Sequence, residues 1–175
     1  RELVRVDQVI GEDRAQTVVE GVINLPDGKP DIERVISVDA FVNNGSIETE
    51  ILGDVGKVII EGTVDVNAMY VGRVPQGSQP VHFVEGTIDF SFFVKIPGAR
   101  KNMDVRVKTI IEHIQSGFDP HKPREIRVRM ILLFVVKVTV RVEIEIVIDA
   151  TGPEDLQVLK RMIRIEDVIG EARTQ

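Results

Sequence analysis

Residues 126–148 read IRVRMILLFVVKVTVRVEIEIVI, and every second one of them is apolar. A period of two is that of a β-strand, because a helix would scatter apolar side chains around its circumference. On the opposite face only the middle is apolar, so we expect that middle to be covered on both sides. A straight strand of this length would span roughly 80 Å at about 3.3 Å per residue. We therefore expect it to bend or to serve two sheets.

The rest of the chain alternates in the same way, and clusters of Gly, Pro and Asn separate the alternating runs. This pattern predicts an all-β fold, with two β-sandwich-like lobes that share long antiparallel strands. Asn44-Gly45 predicts a hairpin, since both residues tolerate the positive φ of a tight turn. The predicted strands are 3–9, 15–24, 32–43, 46–52, 57–71, 81–95, 103–116 and 124–149.

Three of these strands contain two apolar residues followed by Glu-Gly, with the glycines at Gly21, Gly62 and Gly86. Glycine weakens a strand and occurs where the strand kinks or another backbone comes close, so each glycine predicts a bulge. The recurrence of the Glu-Gly segment also favours two related lobes. The predicted organisation is an N-terminal strand segment (1–16), a β-rich body (17–150, lobes about 17–72 and 80–150), and a C-terminal linker and strand (151–175). Residues 151–162 are expected to be a helix or an extended linker.

The end of the chain repeats its beginning. Residues 163–175 align without a gap on residues 4–16, with seven identities and three exchanges of Val for Ile or Asp for Glu. A domain has one position for its first strand, so a second copy is suited to a neighbouring subunit, where it can add to an exposed sheet edge. Alternatively, the duplicate is the remnant of a truncated tandem domain.

The duplication predicts which residues form the contact between subunits. The apolar side chains of the C-terminal copy are expected to enter a groove of the next subunit, as those of the first copy pack at home. Gly170 marks the end of the exchanging strand. The predicted interface residues are Ile163, Ile165, Val168, Ile169 and Gly170 in the second copy, and Val4, Val6, Val9 and Ile10 in the first.

Composition narrows the possible functions. Of 175 residues, 43% are apolar, which is enough for a sizeable core, and the net charge of −6 with interleaved acids and bases disfavours nucleic acid as a ligand. The chain lacks cysteine, which excludes disulfides and cysteine–zinc sites. No segment resembles a signal peptide or a membrane-spanning helix, so we expect no membrane insertion.

A search for catalytic or ligand-binding groups finds isolated pieces. His82, His113 and His121 lie on separate elements, whereas zinc or nucleophile chemistry needs groups that converge. The acidic loop 27–31 could hold a hard cation, but the calcium-loop spacing is missing and its prolines more simply rigidify a turn. We therefore expect no enzyme activity, no cofactor and no metal.

Four segments of the chain carry a family likeness. The most specific reads Leu-Pro-x-x-x-Pro-Asp-Ile-Glu-Arg-Val at residues 25–35; the others are Val-Val-Glu-Gly at 18–21, the segment 58–71 and Ile-Pro-Gly-Ala at 96–99. Together they resemble the SPOCS domain of endospore-forming Firmicutes, over about residues 3–115. That resemblance implies a spore-coat or coat-attachment protein that works by protein–protein assembly, with no catalytic residues to transfer. No peptidoglycan-binding LysM module accompanies it here.

Three functions compete on the sequence. The first is a structural subunit that forms homopolymers by strand exchange, on the spore surface or in an extracellular appendage. The second is an adaptor that recruits another spore-coat protein without polymerising. The third is an enzyme or carbohydrate binder, which would need convergent titratable groups in a pocket. The terminal duplication favours the first.

Overall fold

The chain folds into six long β-strands. The computed structural model describes residues 1–53 and 55–146. The predicted helix at 151–162 and the C-terminal copy at 163–175 lie outside these described residues. Within them no helix has the length and hydrophobicity needed to cross a membrane. The strands are β1 (Glu2–Asn24), β2 (Ile32–Leu52), β3 (Lys57–Gly72), β4 (Val81–Lys95), β5 (Asp104–Gly117) and β6 (Glu125–Ile146).

The strands form two three-stranded antiparallel sheets. Sheet one has the order β1-β6-β5 and sheet two the order β2-β3-β4. The all-β fold with antiparallel sheets is thus confirmed. β6 is the central strand of sheet one alone and does not serve both sheets. The pairing of β3 with β4 also crosses the predicted boundary between the lobes, because β4 lies in the second lobe and β3 in the first.

The alternation in β6 decides what the core contains. The side chains of Ile126 to Val138 at even positions are at most 2% exposed. They face sheet two, where alternate residues of β3 and β4 are buried in the same core. Phe134 packs between two of these, with its ring stacked on Phe92 at 5.3 Å between centroids and tilted against Phe90 at 5.4 Å.

The middle of β6 is fully buried on one side and only half-buried on the other, where its apolar odd-numbered positions led us to expect full cover. Ile131, Leu133 and Val135 are half-buried on the outer face of sheet one. Every described strand belongs to one of the two sheets, and the sheets meet through the opposite face of β6. Therefore no described strand packs over these three side chains.

The predicted hairpin at Asn44-Gly45 is wrong. β2 continues through both residues, and neither has a positive φ. The pairing with β3 shifts here instead: Asn43 lies opposite Thr63 and Glu48 opposite Glu61, so β2 bulges outward by several residues. The Ser46 hydroxyl closes this bulge by donating to the Asn43 carbonyl (2.7 Å) and accepting from the Thr63 N–H (2.9 Å).

The predicted break between residues 9 and 15 is also absent. β1 runs unbroken, with a register shift between Val9 and Gly11 that leaves Ile10 in a bulge. Only glycine fits at position 11, because Ile96 fills the space beside it. A Cβ atom there would lie 2.5 Å from the Ile96 Cγ2 atom.

The glycines of the Glu-Gly segments do not form bulges. Gly21 and Gly86 pair regularly with Val128 and Val66, and Gly62 lies opposite the bulge of β2 without bulging itself. Their common feature is missing side-chain volume. Large apolar side chains occupy the positions where their Cβ atoms would stand, with Phe90 over Gly62.

Candidate assembly interface

The N-terminal copy of the duplicated sequence lies in a two-stranded extension of sheet one. β5 pairs with β6 only as far as the Asp104–Thr139 pair. Beyond this point Glu2 to Gln8 of β1 pair with Val140 to Ile146 of β6. We call this pair of segments the ribbon. Along residues 140–146, β6 pairs with β1 on one edge, and no described strand pairs with the other edge, so its backbone groups there can accept another strand.

The structure does not bring the four predicted residues of the first copy onto one face. Val4 pairs with Ile144 and Val6 with Val142, which places these four apolar side chains together. Val9 pairs with Thr139 on the opposite face, and Ile10, in the bulge, packs against the core. All four are half-buried. Their counterparts Ile163, Ile165, Val168, Ile169 and Gly170 lie outside the described residues.

Charge pairs hold the other face of the ribbon in register. The Arg5 Nε atom lies 3.1 Å from Glu143 Oε1, and the Arg141 Nε atom lies 3.7 Å from Asp7 Oδ1. A third pair joins Arg1 to Glu145 at 3.5 Å. These pairs are largely exposed, so each adds little stability, but opposite charges directly across two strands favour one register over its neighbours. In the sequence, the signal for this pairing is the charged residues at the alternate positions 141, 143 and 145.

The sequence reasoning missed Arg124, which organises the segment most typical of the family resemblance. Its guanidinium donates from Nη1 to the carbonyl of Lys29 and to Asp31 Oδ1, both at 2.9 Å, and from Nη2 to the carbonyl of Pro26 at 3.0 Å. The loop at residues 25–31 is therefore fastened to the start of β6. Asp31 serves this ion pair, and no group of residues suited to a metal ion occurs in the described part of the chain.

Tyr70 contacts the same loop, residues 25–31, from within the core. Its ring is fully buried, and its hydroxyl donates to the Pro30 carbonyl at 2.8 Å. Burial raises the pKa of Tyr70 above its ordinary value, an effect that Arg124 opposes and Asp31 reinforces. The hydroxyl thus remains a donor at neutral pH.

The three histidines remain apart. His82 bonds through its ring to the Gln79 carbonyl at 2.8 Å, His113 lies on β5, and His121 lies in the loop before β6. A cleft of about 520 Å³ at the end of sheet one contains Ser116, but its lining has no histidine. The carboxylate in its lining, Glu20, pairs with Arg129 at 3.2 Å.

These features define an all-β protein in which the candidate surfaces for contact are the edges of strands and the faces of sheets. The family model described as SipL, SPOCS domain matches residues 31–118, half of the chain. The chain therefore belongs to the SPOCS family, as its motifs predicted, and this membership indicates a spore-associated protein. No curated protein and no solved structure matches it.

Proposed function

We propose that this protein is a structural subunit of a spore-associated homopolymer, joined by strand exchange. The C-terminal copy of one subunit pairs antiparallel with the free edge of β6 in the next, along residues 140–146. Its work is mechanical rather than catalytic and needs no cofactor. The polymer belongs to the spore surface or to an extracellular appendage, where other spore-coat proteins are further partners.

The observation that carries this proposal is the match between the C-terminal copy and the side chains that β1 uses against β6. Arg164 stands where β1 has Arg5, and Glu166 where it has Asp7. In β1 these two positions pair with Glu143 and Arg141. A strand on the other edge of β6 in the equivalent register faces the same two residues, so both charge pairs can form again.

The apolar positions support the same register. Ile163 and Ile165 stand where β1 has Val4 and Val6, which flank Ile144 and Val142. In this register Ile163 and Ile165 are the apolar side chains of the copy that fall within residues 140–146, and they contribute roughly 3–6 kcal/mol gross at about 1.5–3 kcal/mol each. Association costs an estimated ~4–15 kcal/mol. The exchanged strand alone is thus marginal, and we expect a lateral contact as well.

Electron microscopy of negatively stained protein tests the proposal. The unmodified chain is expected to form polymers, and Ile165→Asp is expected to give folded subunits that form no polymers at the dilution used for microscopy, because the charge enters an apolar row. Ile165→Val, which restores the residue of β1, is the matched control and should polymerise normally. Normal polymers from Ile165→Asp contradict strand exchange, and folded monomers from the unmodified chain favour the adaptor.

A further inference from the structure

We infer a second contact between copies, in which the outer face of sheet one docks on the outer face of sheet two of another copy. This contact involves only described residues and is independent of the C-terminal segment. It goes beyond strand exchange, because it names the two surfaces that form the lateral contact and states that unlike faces meet.

The outer face of sheet one has an apolar centre. Val18 of β1, Ile131 and Leu133 of β6, and Ile110 of β5 lie next to one another across all three strands, since Val18 pairs with Ile131 and Ile110 with Leu133. Val18 is 49% exposed and Ile110 38%. Contiguous apolar surface of this kind on a folded chain marks an interaction site more often than chance.

The outer face of sheet two exposes aromatic rings. Phe41, Phe83 and Phe93 are 57%, 61% and 50% exposed, and their pairing partners on β3 all point away from the core. The Lys57 ammonium lies 3.9 Å from the centre of the Phe93 ring and covers part of it. Both sheets thus present large apolar side chains on their outward sides.

The two outer faces carry opposite net charge. On sheet two, carboxylates outnumber bases by seven to three, and Glu48 lies directly opposite Glu61, where like charges repel. On the three-stranded part of sheet one, without the ribbon, bases outnumber acids by six to four, and one of these bases, Lys137, is buried and paired with Glu12. The sheet-two acids are Asp39, Glu48, Glu50, Glu61, Asp65, Glu85 and Asp89; the sheet-one bases are Arg14, Arg106, Lys108, Arg127, Arg129 and Lys137.

Ion pairs between described residues involve half of these sheet-one bases and none of the sheet-two acids. No ion pair between described residues includes a carboxylate of the sheet-two face. On sheet one, the exposed side chains of Arg14, Lys108 and Arg127 likewise form no ion pair within the described part of the chain. A second copy that offers its sheet-two face supplies these three bases with carboxylates, which selects unlike faces over like ones.

The size of the faces sets the strength of the contact. Three strands about 4.8 Å apart and about thirteen residues long cover roughly 600 Å² per partner, less than the ~800 Å² of a typical stable complex. A contact of this size is weak between two copies and becomes durable when repeated. Because the two faces differ, each docked copy leaves one of each free, and the arrangement extends without closing.

Complementation between two variants tests the inference. Both are made in the full-length Ile165→Asp chain, so that lateral association is measured by itself. Ile110→Asp places an acid on the sheet-one face, and Phe83→Lys places a base on the sheet-two face. Both sites are exposed, so both variants should fold. Val55→Asp, in an exposed loop outside both faces, is the matched control.

Sedimentation velocity over a concentration series gives the result. The Ile165→Asp parent and the Val55→Asp control should associate reversibly at high concentration, and more weakly in about 1 M salt, where screening shortens to about 3 Å. Each face variant alone should remain at the monomer mass of 19.5 kDa. Their equimolar mixture should recover a species of about twice that mass, because one intact face of each kind is present.

Three results overturn the inference. They are a monomeric parent at every concentration, a face variant that associates as well as the parent, and a mixture that stays monomeric. Association of Phe83→Lys alone would indicate that sheet one docks on itself. None of these outcomes bears on strand exchange, which is judged by the effect of Ile165→Asp on polymers.

Discussion

Ile88 of β4 occupies the space above Gly21 of β1, so a side chain of one sheet packs directly on the backbone of the other. A Cβ atom on Gly21 would lie 2.7 Å from Ile88 Cγ1 and 2.8 Å from both Cγ2 and Cδ1. The relationship is reciprocal, because Ile23 of β1 lies over Gly86 of β4, where a Cβ would be 3.0 Å from the isoleucine. The two equivalent Glu-Gly segments thus interlock one edge of the sandwich.

This interlock predicts the effect of a single methyl group. Gly21→Ala should lower the free energy of unfolding by about 1–3 kcal/mol, because three atoms of a buried isoleucine must move. Gly117→Ala is the control, since nothing lies within 4 Å of its Cβ position; it should be neutral or stabilising by up to about 1 kcal/mol. Denaturant unfolding measures both, and equal stabilities would show that the sheets do not meet at Gly21.

Two phenylalanines distinguish the inner face from the outer one. Phe134→Ala should cost about 3–5 kcal/mol, because this fully buried ring packs on two others. Phe83→Ala, at a ring that is 61% exposed, should cost less than about 1 kcal/mol. The alternation in β6 predicts that Thr139 is exposed and that Thr139→Ala costs little, but this side chain is 1% exposed and cannot serve as the exposed comparison. Similar melting temperatures for the two Phe variants would contradict the assignment of faces.

Tyr70 makes stability depend on pH in the alkaline range. Its pKa in the folded state lies above the ordinary value of 10.0, chiefly because of burial. The unfolded chain therefore loses this proton at lower pH than the folded chain, and stability falls as pH rises beyond about 10. Tyr70→Phe should be less stable at neutral pH, where it lacks the bond to Pro30, but should lose less stability between about pH 9 and pH 11. Parallel pH profiles for the two proteins would exclude this role.

Polymers of the chain should survive chelation. In the proposed polymers the cohesion comes from backbone pairing and apolar burial, and the acidic loop at residues 27–31 is fastened by Arg124. Treatment with EDTA is expected to leave their length unchanged in electron micrographs. Disassembly by EDTA that added calcium reverses would assign the loop a metal-binding role.

Strand positions were predictable where apolar and polar residues alternate without interruption along the sequence. The observed bounds of β3, β4 and β6 lie close to the predicted ones, because each of these strands has one face in the core. The bulge at Asn44-Gly45 was not predictable from local preference, since the same β3 strand pairs with β2 on both sides of it and favours a bulge over a reversal of the chain. Pairing partners distant in sequence decided the outcome.

The candidate interface was predictable only in part for the same reason. The terminal repeat identifies which segment is duplicated, but the edge of β6 that no described strand occupies depends on where β5 begins, at Asp104. That position is set by tertiary pairing. Likewise Arg124, a single arginine in a loop, carries no periodic signal, and only the fold places it against the carbonyls of Pro26 and Lys29.

Cysteine cross-linking tests the central claim most directly, because the chain contains no cysteine of its own. Val142→Cys and Ile165→Cys are introduced into separate chains, mixed and mildly oxidised. Directly opposite residues of paired strands have Cα atoms about 4.5–5.5 Å apart, within the range of a disulfide. Arg164→Cys mixed with Val142→Cys is the control, since residue 164 faces the other side of the strand.

Strand exchange in the proposed register predicts that Val142→Cys and Ile165→Cys form a mixed disulfide dimer in high yield. The control pair and each variant alone should give little. Equal yields from Ile165→Cys and Arg164→Cys, or no mixed dimer from either, would contradict pairing of the C-terminal copy with β6.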